Sequence, residues 1–168
     1  LWGDWKCSHC IRKAGDPKKV AVGHAGCLKP TVICETCRSN TPDWEYEEVT
    51  IEYNGISGHI DTILCIKWHK NPRKRKYIIV DYKTTGTMFN GHLNHGKYPY
   101  RGNFIQISLY CFVMKEKYGL NITGFSLVYV DRAKPVRSIK DYVPVHQKWT
   151  DENHKNMGKK LDWIAKRG

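Results

Sequence analysis

The chain has 168 residues, 40% of them hydrophobic, which suits one compact domain with a small appendage. Lysine and arginine number 28 against 16 aspartates and glutamates; this excess argues for a polyanionic partner, nucleic acid or a membrane surface, against the plainer reading of a soluble basic surface. No apolar run reaches the roughly 18 residues of a membrane span and no secretory signal stands at the start, so no membrane is expected as a partner and an intracellular, cytoplasmic location is.

Residues 1–43 are rich in cysteine, glycine and lysine and show little apolar periodicity. Cys7-Ser8-His9-Cys10 and Cys34-Glu35-Thr36-Cys37 form two CxxC pairs with 23 residues between them. A CxxC turn offers two thiolates to one ion, and tetrahedral zinc takes four such ligands. Structural Zn²⁺ on Cys7, Cys10, Cys34 and Cys37 is therefore expected, with Cys27, His9 and His24 as substitutes for one ligand. So small a segment would owe its stability largely to the metal. Disulfides would need an oxidising compartment, which is not expected here. Cys65 and Cys111 stand in apolar runs and read as core residues. The polar stretch 39–43 marks a boundary, giving a zinc-ribbon-like segment 1–43 and a main domain 44–168.

The main domain opens with an alternating strand over 44–53, closed by the hairpin pair Asn54-Gly55. A second strand covers 56–68, with Asp61 near its middle. Asn71-Pro72 begins a basic turn in which Lys67, Lys70, Arg73, Lys74, Arg75 and Lys76 crowd together. The third strand, 77–83, carries the run IIV expected of a strand buried on both faces. Residues 86–98 read as a loop. A helix is predicted over 103–118, ended by Gly119, then a strand over 122–131 and an edge strand over 138–146. Thr150 is the expected N-cap of a last helix, 150–166, with Asp151 and Glu152 in its first turn.

The chemistry concentrates in 58–83. A carboxylate within an apolar strand is costly to bury unless it is paired or metal-bound, which singles out Asp61 and Asp81. Asp81 and Lys83 lie two apart on a strand and so face the same way, with Tyr82 turned opposite. Two acids and a lysine on adjacent strands make a cation site beside a proton acceptor, the requirement of metal-assisted phosphodiester hydrolysis. Gln106 and Tyr110, four apart, share a helix face.

GHID (58–61), DYK (81–83) and QISLY (106–110), in that order, resemble the PD-(D/E)XK nuclease superfamily and within it the RecB-like exonuclease branch. The resemblance covers roughly 44–130. It implies an α/β, restriction-endonuclease-like core, a mixed central sheet flanked by helices. It implies a metal-dependent deoxyribonuclease of replication, recombination or repair, acting on ends or single strands. Asp61, Asp81 and the backbone carbonyl of Tyr82 would hold Mg²⁺ or Mn²⁺. Lys83 would activate water, or else orient it or stabilise charge on the phosphate. Gln106 and Tyr110 would position the strand. His59, Thr84 and the basic turn residues Arg73, Lys74, Arg75 and Lys76 are candidate nucleic-acid contacts, and Tyr98 and Tyr100 could stack on bases. The family's helix ahead of the first strand is missing or lies before Leu1. Relatives with an iron–sulfur cluster carry three cysteines after the QxxxY helix; nothing follows Cys111 here, which favours zinc. The chain has no Walker A motif, so unwinding would need a helicase or recombination partner, and a phage-encoded protein in a host cytoplasm fits the branch. The alternative is a catalytically silent, zinc-containing nucleic-acid-binding module; a third reading is a zinc-ribbon protein that recruits other proteins.

Overall fold

The computed structural model describes residues 1–8, 10, 23–30, 38, 44–85, 88–89, 92–93, 101–131 and 142–166. The chain forms two compact units, Leu1–Cys65 and Ile66–Gly168.

In the first unit, β1 (Trp2–Cys7) pairs antiparallel with β2 (Gly23–Leu28), with β3 (Trp44–Glu47) and, through Trp2 opposite Ile63, with β6 (Thr62–Lys67). Period-2 alternation buries Trp5 and Cys7 on one face of β1. Trp5 meets the Tyr46 ring edge-on at 5.3 Å and donates from Nε1 to the Cys27 carbonyl at 3.1 Å. A Cβ at Gly3 would run into that same Tyr46 ring, so only glycine lets β3 approach there. Because β1 pairs with β3, the segments on either side of the expected 43/44 boundary are joined by a ladder.

The predicted strand over 44–53 is divided at Glu48 into β3 and β4 (Val49–Tyr53). Asn54 and Gly55 both take positive φ, 49° and 77°, as a tight two-residue hairpin turn requires, and lead into β5 (Ile56–Ile60). The predicted strand over 56–68 is likewise two strands, β5 and β6, separated by a bend at Asp61. Ile51, Ile60 and Ile63 are fully buried.

The second unit is α/β with a mixed sheet. β7 (Lys76–Thr85) runs parallel to β10 (Ile122–Asp131), and β11 (Tyr142–Lys148) runs antiparallel to β10. Between β7 and β10 come two short strands paired antiparallel, β8 (Met88–Phe89) and β9 (His92–Leu93), and the helix α1 (Arg101–Tyr118). Parallel neighbours need such a crossover, and α1 supplies it. Its residues Ile107, Tyr110, Cys111 and Met114 recur at helical spacing and are buried, where α1 packs on β10 and β7. Gly119 ends it at φ 64°, donating to the Lys115 carbonyl at 3.1 Å. α2 (Asp151–Ala165) begins at Thr150, whose hydroxyl accepts from Asn153 N at 3.2 Å while Asn153 Oδ1 accepts from Thr150 N at 3.0 Å. The edge strand lies a few residues later than predicted, and residues 132–141 are outside the described set. Among the described residues no helix is long and apolar enough to cross a membrane.

Candidate functional site

The IIV run places β7 in the core, with Tyr77, Ile79 and Val80 buried. Alternation then turns Asp81, Lys83 and Thr85 to one face and Tyr82 and Thr84 to the other, where both are exposed. Asp81 is 3% exposed, so its charge needs a close counter-ion. Lys83 Nζ provides it, 2.8 Å from Asp81 Oδ2. The same Nζ donates to Gln106 Oε1 at 2.8 Å, and Gln106 Nε2 donates to Tyr110 Oη at 2.9 Å. Four of the predicted catalytic residues thus form one chain of polar contacts, Asp81–Lys83–Gln106–Tyr110, from β7 onto α1. Lys83 thus meets Asp81 as an ion pair and Gln106 as a hydrogen-bond donor.

Two contacts that the sequence did not single out hold this arrangement. Tyr129 stands opposite Lys83 in the β7–β10 register, and its hydroxyl accepts from Asn103 Nδ2 at 3.0 Å, in the first turn of α1. Phe104 meets Phe125 edge-on at 5.7 Å. Both contacts fasten the start of α1 to β10 and so place Gln106. A strand tyrosine and a helix asparagine carry no local signal of pairing; only the parallel register brings them together.

Asp61 lies in the first unit, half-buried at the bend between β5 and β6. His59 is exposed on β5, with Nδ1 3.2 Å from Thr50 Oγ1 on the paired strand β4. Arg73, Lys74 and Lys76 are exposed, whereas Arg75 is half-buried, its Nε 2.8 Å from the His69 carbonyl. Tyr98 and Tyr100 lie outside the described residues.

Of the expected zinc ligands, Cys7 and Cys10 are buried in one apolar cluster with Trp5 and Trp44, against which Cys27 and Tyr46 pack. Burial, then the charge of Asp4, pushes the Cys27 thiol up. Cys34, Cys37 and His9 lie outside the described residues, as does the side chain of His24. Burial holds Cys111 protonated, as befits a core thiol, and Cys65 is half-buried. Among the described residues, no three His, Cys, Asp or Glu side chains gather as a metal site. The donor types fit the expected ions all the same: buried paired thiols suit zinc, and the Asp81 carboxylate suits a hard divalent cation.

Compared with family models, curated proteins and solved structures, the chain matches none.

Proposed function

We propose that the chain is a metal-dependent nuclease that hydrolyses DNA phosphodiester bonds, built on a restriction-endonuclease-like core with a zinc-ribbon-like segment. The observation that carries this reading is the polar chain Asp81–Lys83–Gln106–Tyr110, a buried acid and a lysine on one strand face, tied to a glutamine and a tyrosine on one helix face. The order of these residues along the sequence is the order the resemblance requires. Asp81 and the Tyr82 carbonyl would hold Mg²⁺ or Mn²⁺, and Asp61 keeps the ligand role that the resemblance gives it. Such an ion, when bound, polarises the phosphate and stabilises the leaving oxygen. Lys83, held between Asp81 and Gln106, would activate the attacking water, or orient it and stabilise charge on the phosphate. Gln106 holds Lys83 in place and Tyr110 holds Gln106.

The same chain of bonds braces β7 against α1, a feature that a silent binding module would also keep for stability. Cleavage of end-labelled and circular DNA, single- and double-stranded, in Mg²⁺, Mn²⁺ or EDTA separates the two readings. A nuclease loses metal-dependent cleavage in Asp81→Asn while DNA binding persists. Cleavage undiminished in that variant would remove Asp81 from the site, and no cleavage by the parent chain with either metal would favour the binding module. Asp61→Asn tests the remaining acid in the same assay.

A further inference from the structure

The turn between β6 and β7 holds the most exposed large aromatic side chain among the described residues. Trp68 is 65% exposed, and Ile66 beside it is exposed as well. The guanidinium of Arg75 lies over the indole, 5.6 Å from the ring centroid. Its position is set from the other side, because Arg75 Nε donates to the His69 carbonyl at 2.8 Å. The rest of the turn is tied down by its own bonds. His69 Nδ1 accepts from Asn71 N at 2.9 Å, and Asn71 Oδ1 accepts from Arg73 N at 3.0 Å. Asn71 thereby caps a single 3₁₀ turn, Pro72–Lys74, whose backbone bonds, Lys74 N to Asn71 O and Arg75 N to Pro72 O, both span 3.1 Å. Around this ordered turn, Lys67, Lys70, Arg73, Lys74 and Lys76 are all exposed, and residues 66–76 include no acid.

We propose that this turn is a binding site for single-stranded nucleic acid, with Trp68 as the platform on which an unpaired base stacks. Charge complementarity selects a polyanion. The aromatic face selects among polyanions. A base is flat and stacks on an indole whatever its identity, whereas a duplex offers only its phosphates to the same surface. Arg75, spent on the His69 carbonyl and the indole, stiffens the platform, and the exposed lysines and Arg73 reach the backbone on either side of the stacked nucleotide. The inference rests on the nucleic-acid reading above for its class of ligand, but not on cleavage.

The test is fluorescence anisotropy of the full chain with fluorescein-labelled oligothymidylate and with a hairpin duplex, without added Mg²⁺ or Mn²⁺, over a range of salt concentrations. Trp68→Ala is expected to weaken oligothymidylate binding about ten-fold, as loss of a stacked base does, and to leave duplex binding unchanged. Trp68→Phe should recover most of the loss. Arg73→Gln should instead weaken both ligands and lower the salt slope by about 1. Oligothymidylate binding unchanged in Trp68→Ala would overturn the proposal. So would binding of phosphatidylserine vesicles that depends on Trp68 where oligothymidylate binding does not. Binding that depends on Trp68, in a chain that cleaves nothing with Mg²⁺ or Mn²⁺, would sustain this site and sink the nuclease reading alone.

Discussion

Lys83 makes two short polar contacts at once, and each partner would be affected differently by its loss. Asp81 would lose the Lys83 charge beside a buried carboxylate, a change that costs up to roughly 3 kcal/mol when a pair is well buried and less here, because Lys83 is 23% exposed. Gln106 would lose only one bond at an open position, worth about 1 kcal/mol. Lys83→Ala is therefore expected to be more destabilising than Gln106→Ala, and urea unfolding of the two single variants and the double variant should show a coupling of about 0.5 kcal/mol or more. Equal and additive losses would mean that the Lys83–Gln106 bond contributes nothing in solution. Tyr46 offers a second residue-scale test. Burial pushes its phenol up to about 12, from an ordinary value of 10.0. A group raised in the folded state stabilises below its unfolded value and loses that contribution as pH climbs through the folded one. The first unit should thus lose stability between pH 10 and about 12, and Tyr46→Phe should lose less, read from urea midpoints across that window.

At the scale of elements, α1 and α2 are joined by polar contacts at their facing ends. Lys115 Nζ lies 2.8 Å from Asp151 Oδ1, His154 Nε2 lies 2.7 Å from Glu116 Oε1, and the His154 ring stacks on Phe112 at 4.7 Å. The hydrogen bond from Lys115, with its charge, holds the Asp151 carboxyl below its ordinary 3.8. A depressed acid stabilises above its unfolded value and loses that contribution as pH falls through the folded one, so this contact fades only in strong acid. Asp151 is fully exposed, and its share of stability is correspondingly slight. The cap of α2 matters more. Thr150→Ala removes a reciprocal capping box and should cost about 1 kcal/mol, visible as a lower thermal midpoint. Gly124 on β10 is less tolerant. A Cβ there would stand 2.8 Å from the Gln147 carbonyl of β11, so Gly124→Val should cost about 2 kcal/mol or prevent the edge strand from pairing. A urea midpoint equal to that of the parent chain would show that β11 can move aside.

For the molecule as a whole, the two units invite separate perturbation. Cys7 and Cys10 share their apolar cluster with Trp5 and Trp44. If zinc is held there, a strong chelator should release it in a stoichiometry of about one per chain and shift tryptophan emission to the red, because the ligands and the fluorophores pack together. Ion release is counted with a chromophoric chelator, and absence of zinc in the purified chain would remove the zinc-ribbon reading. The folding of the second unit should be unaffected, since its core of Tyr77, Ile79, Leu127 and Tyr129 is built from β7 and β10.

The sequence by itself determined what depends on short spacings. Asn54-Gly55 demanded a hairpin, Gly119 a helix end and Thr150 a helix start, because each is a backbone conformation or hydrogen bond that neighbouring residues settle among themselves. Period 2 put Asp81 and Lys83 on one face, and period 3.6 did the same for Gln106 and Tyr110. Long runs of strand were less legible. Alternation continued through Glu48 and Asp61, and nothing local marked the breaks there, which accompany the pairings of β3 and β6 with β1. β1 itself stood in a segment read as lacking periodicity, since Trp5 and Cys7, the buried residues that alternate there, make too short a pattern. Only the tertiary structure decided that Lys83 bonds Gln106, that Asn103 and Tyr129 secure the helix beneath them, and that Arg75 turns back onto Trp68 instead of standing free with its basic neighbours. Those partners lie 7 to 26 residues apart, and their meeting follows from strand register, helix packing and the bonds that close the β6–β7 turn, which a local reading of side-chain order does not contain.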